Sequence, residues 1–137
     1  MHVLIIEDEP VAAQRLETML KAVKQDIRVL AKIGSVKEAL RWLNQHTADL
    51  IFLDIQLSDG LSFRIFEELQ LQTPVIFVTA YDQYAIQAFQ LNSIAYLLKP
   101  VRQEALAESL DKYQSLRAAF RIDFESLMES MQGGRAV

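Results

Sequence analysis

The sequence predicts an α/β fold built on a five-stranded parallel sheet with helices on both faces. Two patterns point there. Five short apolar runs recur along the chain: VLIIE (3–7), IRVLAKI (27–33), LIFLD (50–54), PVIFVTA (74–80) and IAYLL (94–98). Most are rich in Val, Ile, Leu and Phe rather than alternating with polar residues, as central strands covered on both faces require. Between them lie segments of helical spacing, and strands alternating with helices of this length imply βαβ units with right-handed crossovers.

Each helix has its own signal. Ala12, Leu16, Met19, Leu20 and Val23 form one apolar stripe after the first strand. Val36, Ala39, Leu40 and Leu43 form the next, with Ser35 placed as an N-cap. Residues 61–71 and 83–91 give two shorter helices. A final helix starts near Val101 and carries Leu106, Leu110, Tyr113 and Leu116 on one side. No repeat or Pro/Gly-rich linker interrupts residues 1–119, which read as one domain. From residue 120 the character changes, and RIDFESLMESMQGGRAV (121–137) reads as a linker.

Composition narrows the function. A chain of 137 residues, 51% apolar, is long enough to bury a real core and is not a disordered chain. Its net charge of −4 argues against a nucleic-acid surface on this segment. Without cysteine there is neither a disulfide nor a thiolate metal site. The early apolar run Val3–Ile6 is too short for a signal peptide or a membrane span, so a cytoplasmic protein is expected.

In an open parallel sheet, ligands bind beyond the carboxyl ends of the strands, where strand order reverses. Glu7 and Asp8 follow the first strand, Asp54 ends the third, Thr79 and the small Ala80 end the fourth, and Lys99-Pro100 follow the fifth. In the order 2-1-3-4-5, strands one and three flank the switch point, and these bear the acids. Taken singly, each residue has an ordinary reading. Glu7-Asp8 before Pro10 suits a helix start, Thr79 a β-branched strand position and Lys99 a surface lysine. Asp59-Gly60 reads as the turn into the third helix, and His2 and His46 as structural. Four independent accidents at four strand ends are a poorer account than one site.

Clustered carboxylates repel one another, and burying them unpaired raises their pKa values or costs stability. A divalent cation removes the conflict, and a few oxygen ligands with positions left to water suit Mg²⁺. Such a cation also screens a carboxylate nucleophile from an anionic phosphoryl group. Attack by that carboxylate on phosphorus gives an aspartyl phosphate, whose oxygens a lysine and a hydroxyl can hold.

The motifs VLIIEDEP, LIFLDIQLSDG, VIFVTAYD and AYLLKPV together resemble the receiver domain of two-component response regulators, over roughly residues 2–119. That resemblance implies a flavodoxin-like (βα)5 fold in which Asp54 accepts phosphate from a sensor histidine kinase. It implies Mg²⁺ held by Glu7, Asp8, Asp54 and the backbone carbonyl of Gln56, with Thr79 and Lys99 on the acyl phosphate. Tyr96 matches the family's switch aromatic, and Lys99-Pro100 its cis peptide. The runs YDQYAIQAFQLNSIAYLLKPV and LSDGLSFRIFEEL resemble the LytTR-type (LytR/AlgR-like) branch, whose receiver precedes a mostly β DNA-binding domain. Residues 120–137 then lead toward such an output domain. Ala95 departs from that branch, which often has Asp there. By this reading phosphorylation draws Thr79 inward, Tyr96 turns, and the surface of the fourth helix, fifth strand and fifth helix forms a homodimer that sets two output domains on DNA. DNA is contacted only through that domain, and no membrane is involved.

Two other classes compete. A haloacid-dehalogenase-like phosphatase also uses a strand-end Asp, but it usually places an acid two residues on, where this chain has Gln56. A nucleotide or flavin module is disfavoured because no glycine-rich phosphate loop follows the first strand. A third possibility, a receiver that works only by protein contacts, is disfavoured by the intact acceptor set, and a turnover assay separates a phosphatase from a phosphoacceptor with slow self-hydrolysis, which is the expectation here.

Overall fold

The apolar runs form strands because their side chains alternate between two separate cores, so both faces of every central position are buried. The computed structural model describes residues 1–91 and 93–136, with side chains described for 1–91, 93–119 and 126–131. Strands β1 (His2–Ile6), β2 (Arg28–Ile33), β3 (Leu50–Leu53), β6 (Val75–Thr79) and β7 (Ser93–Leu98) make one sheet in the order β2-β1-β3-β6-β7. Every neighbouring pair is parallel. This is the expected 2-1-3-4-5 order.

On one face, Val3, Ile5, Phe52, Ile76 and Val78 pack with Ala13, Leu16 and Leu20 of α1 (Pro10–Val23) and with Leu106, Leu110 and Tyr113 of α5 (Gln103–Ala136). On the other, Leu4, Ile6, Ile51, Leu53 and Phe77 pack with α2 (Val36–Gln45), α3 (Phe63–Glu68) and α4 (Ala85–Phe89). The odd and even residues of β1 thus serve opposite cores, which is why its sequence shows no polar alternation.

Local signals account for the helix ends. Pro10 opens α1, where its missing N–H costs nothing. Ser35 caps α2, its hydroxyl accepting from the Glu38 N–H at 3.1 Å, as its position predicted. His46 follows α2 with its ring 4.9 Å from that of Trp42, a packing role.

Three features differ from the sequence expectation. The helices at 61–71 and 83–91 shorten to six and five residues. A two-residue hairpin, β4 (Gln56–Leu57) with β5 (Gly60–Leu61), occupies the stretch read as a plain turn, and Gly60 at φ 140 supplies the backbone it needs. The last helix extends through the stretch read as a linker, to Ala136. Its run of Ala, Arg, Leu, Glu and Met favours that continuation. No helix among the described residues is long and apolar enough to cross a membrane.

Candidate functional site

The sheet carries the candidate residues one step past its strand ends. The Glu7 N–H donates to the Ile33 carbonyl at 2.7 Å, the Asp54 N–H to Ile6 at 2.9 Å, and the Lys99 N–H to Thr79 at 2.8 Å. Ladder hydrogen bonds therefore fix the backbone of Glu7, Asp54 and Lys99 as firmly as the strands themselves. Thr79 is the last residue of β6 and fully buried. The Lys99–Pro100 peptide is cis.

At this edge the side chains converge. The Lys99 ammonium donates to Glu7 Oε1 at 2.5 Å and to Asp54 Oδ2 at 3.0 Å. Asp54 Oδ1 accepts the Ile55 N–H at 2.7 Å. One carboxylate oxygen from each of Glu7, Asp8 and Asp54 lies within 4.8 Å of the others. Glu7 and Asp54 are buried, whereas Asp8 is exposed. Gln56 sits two residues past Asp54 on the hairpin, half-buried.

Two carboxyls and one ammonium leave an imbalance. Burial, then the neighbouring Asp54, push the Glu7 carboxyl up to about 8, against the opposing pull of Lys99. Burial also works to raise Asp54, but Glu7, Lys99 and the Thr79 hydroxyl outweigh it and hold Asp54 below the usual carboxylate range. Lys99 would be lowered by its burial, yet the two carboxylates raise it instead. Glu7 is thus the protonated partner and Asp54 the ionised one. Glu7 Oε2 is buried with no hydrogen-bond partner. A carboxyl that keeps its proton beside two other acids, with one buried oxygen left unpartnered, marks a donor set short of positive charge, and it fits a hard divalent cation.

Thr79 and Tyr96 are linked through the loop after β6. The Tyr81 N–H lies 3.4 Å from Thr79 Oγ1, and the Tyr81 carbonyl accepts the Tyr96 hydroxyl. The half-buried Tyr96 ring packs on Phe77 with centroids 6.0 Å apart. A cavity of about 380 Å³ opens beside the acids, walled by Leu16, Met19, Phe52, Val78 and Val101 and bounded by Glu7, Asp54 and Lys99.

Glu7, Asp8, Asp54, Thr79, Lys99 and Pro100 lie at this edge, Gln56 stands on the adjoining hairpin, and Tyr96 sits mid-strand on β7 and reaches toward the edge through the Tyr81 carbonyl. Sequence reasoning places Tyr81 beside the site but gives it no role, since its contribution is a backbone N–H and carbonyl and so carries no side-chain signal. It missed Asp59, which was read as a turn residue. Its carboxylate accepts the Val36 N–H at 2.7 Å and the Lys37 N–H at 3.1 Å, across to the start of α2.

Comparison with known proteins agrees with this fold. Residues 3–111 match the family described as the response regulator receiver domain. The chain is 38% identical over 117 residues to the sensory transduction protein LytT of Bacillus cereus, covering 83% of this chain and 47% of that protein. It is 36% identical over 121 residues to the transcriptional regulatory protein LytR of Staphylococcus aureus, covering 86% and 49%. The chain therefore spans about half the length of the curated relatives it matches. Among solved structures, the response regulatory domain of protein mrkE from Klebsiella pneumoniae superposes with a TM-score of 0.77 at 26% identity, covering 85% of this chain and 97% of that one. The chain belongs to the response regulator receiver domain family, with LytT- and LytR-type regulators among its similar relatives.

Proposed function

We propose that this domain is a phosphoacceptor switch in which Asp54 takes a phosphoryl group from the histidine of a sensor kinase. The observation that carries the reading is the convergence of Asp54 with Glu7, Asp8 and Lys99 at the strand ends. In the transfer, an Asp54 carboxylate oxygen attacks phosphorus, the P–N bond to the donor imidazole breaks, and the imidazole leaves as the acyl phosphate forms. Asp54 suits that role because its neighbours keep it ionised. Glu7, Asp8, Asp54 and the Gln56 backbone carbonyl would hold Mg²⁺. The cation supplies positive charge to offset the clustered carboxylates and the phosphoryl oxygens. Lys99 exchanges its Glu7 and Asp54 contacts for a phosphoryl oxygen, and the Thr79 hydroxyl donates to another.

The conformational readout passes through the loop at 80–84. The phosphoryl group adds about −1.5 to −2 charge and draws the Thr79 hydroxyl toward it. Thr79 then leaves the Tyr81 N–H, and the Tyr81 carbonyl that anchors Tyr96 shifts with it. Tyr96 turns, remodelling the face formed by α4, β7 and α5. Ile86 and Phe89 on α4 are 80% and 86% exposed, and Leu98 on β7 is also exposed. Apolar side chains so placed suit a symmetric homodimer. In the cytoplasm, that dimer would bring two LytTR-type output domains, reached through residues 120–137, onto paired DNA half-sites.

The test is incorporation of phosphate from acetyl phosphate with Mg²⁺. The wild-type protein is expected to take up one equivalent and to lose it slowly, and Asp54→Asn to take up none. Labelling of Asp54→Asn equal to wild type would overturn the assignment.

A further inference from the structure

Asp59 lies outside the acidic cluster, yet it ties the hairpin that carries Gln56 to the turn that packs against Glu7-Asp8. Its Oδ1 and Oδ2 accept the N–H groups of Val36 and Lys37, the first two residues of α2. Next to it, the Ser58 hydroxyl donates to the Gly34 carbonyl at 3.1 Å. The loop at 56–61 is thereby fastened to the turn that opens α2. That turn in turn rests on the acidic pair. A methyl group placed at Gly34 would stand 3.3 Å from Asp8 Cα and 3.7 Å from the Glu7 carbonyl oxygen. A side chain at Gly34 would crowd the backbone of Glu7-Asp8, which would have to give by a few tenths of an ångström.

We propose that Asp59 is a positioning residue for the cation, acting through the Gly34 turn. It sets the distance between Gln56, on the tethered hairpin, and the Glu7 and Asp8 carboxylates, on the loop that Gly34 packs against. The inference rests on reading the site as Mg²⁺-dependent. α2 does not need Asp59 as its only cap, since the Ser35 hydroxyl already accepts the Glu38 N–H. The carboxylate instead fixes where the hairpin stands relative to α2. Its negative charge at the helix N-terminus strengthens the tie. The Asp59 carboxyl is held low by the Val36 and Lys37 N–H groups, which outweigh its desolvation.

Mg²⁺ titration by calorimetry on the whole chain tests this, with urea denaturation measured alongside. Asp59→Ala is expected to weaken Mg²⁺ binding about tenfold, the scale of losing a group that orients metal ligands. Asp59→Asn, which keeps an acceptor oxygen for Val36, is expected to recover most of that loss. Ser35→Ala removes the helix's own cap and leaves the tether, so it should lower stability while Mg²⁺ affinity stays within twofold of wild type. Phosphorylation at saturating Mg²⁺ should stay near wild type in all three variants. Unchanged Mg²⁺ affinity in Asp59→Ala would overturn the positioning role, as would an equal loss in Ser35→Ala. Failure of the wild-type protein to bind Mg²⁺ or to accept phosphate at Asp54 would bring down the phosphoacceptor reading itself, and this inference with it.

Discussion

Glu7 ionises near pH 8 in the folded protein against 4.5 as an ordinary carboxyl. Between those values the folded state holds more protons than the unfolded chain, so stability falls as pH rises. Asp54 works in the opposite sense. Its depressed value contributes stability above about 3.8 that is lost on acidification. The cation-free protein is therefore expected to lose stability to urea between about pH 5 and pH 8, and added Mg²⁺ to restore it most at the alkaline end. Because Glu7 must release its proton to bind a cation, Mg²⁺ affinity should rise about tenfold per pH unit below pH 8, with proton release visible by calorimetry in different buffers. A flat affinity across that range would contradict a protonated Glu7. Lys99 is the only ammonium that hydrogen-bonds to Glu7 and Asp54 among the described residues, and its side chain is 26% exposed. Lys99→Ala should cost about 1–2 kcal/mol in urea, below the value for a fully buried pair because water reaches the ammonium.

Among the elements, β6 joins core to switch. Its Phe77 is fully buried, with the rings of Phe63, Phe66 and Tyr96 at 5.9, 6.2 and 6.0 Å. Phe77→Ala is expected to cost about 3–5 kcal/mol by denaturation, because a cavity opens beneath three aromatic neighbours. A loss below about 1 kcal/mol would mean that the rings collapse to fill it. The central strands were legible in the sequence because burial on both faces leaves an unbroken apolar run. The carboxyl-end residues were legible because four strand ends deliver acids, a hydroxyl and a lysine directly after an apolar run. Helices α3 and α4 were harder, since six- and five-residue helices hold too little periodicity to fix their ends. The Asp59 tether had no local signal. Its partners lie 23 and 22 residues away, and only the packed fold brings them together.

For the whole molecule, the proposed switch ends at the face of α4, β7 and α5. Phe89→Lys places a charge on its most exposed aromatic ring and leaves Asp54 and its neighbours untouched. With beryllofluoride as a stable phosphoryl mimic, the wild-type protein should become dimeric by light scattering, while Phe89→Lys stays monomeric and still accepts phosphate. Dimerisation of the variant to the wild-type extent would move the interface elsewhere. The overall topology followed from alternating strands and helices, but the reach of α5 did not. The change of character at 120 reads as a linker in the sequence, and the helix runs on through it.

That reach gives the domain a mechanical property. Among the described residues the last of α5 seated in the core is Tyr113, and the helix continues for 23 more residues to Ala136. At 1.5 Å per residue this is a shaft of about 35 Å anchored at one end. Tilting the anchored turns by about ten degrees would sweep the far end through about 6 Å. A side-chain rearrangement beside β7, small in itself, would thus be enlarged by leverage into a displacement wider than one helical turn is tall.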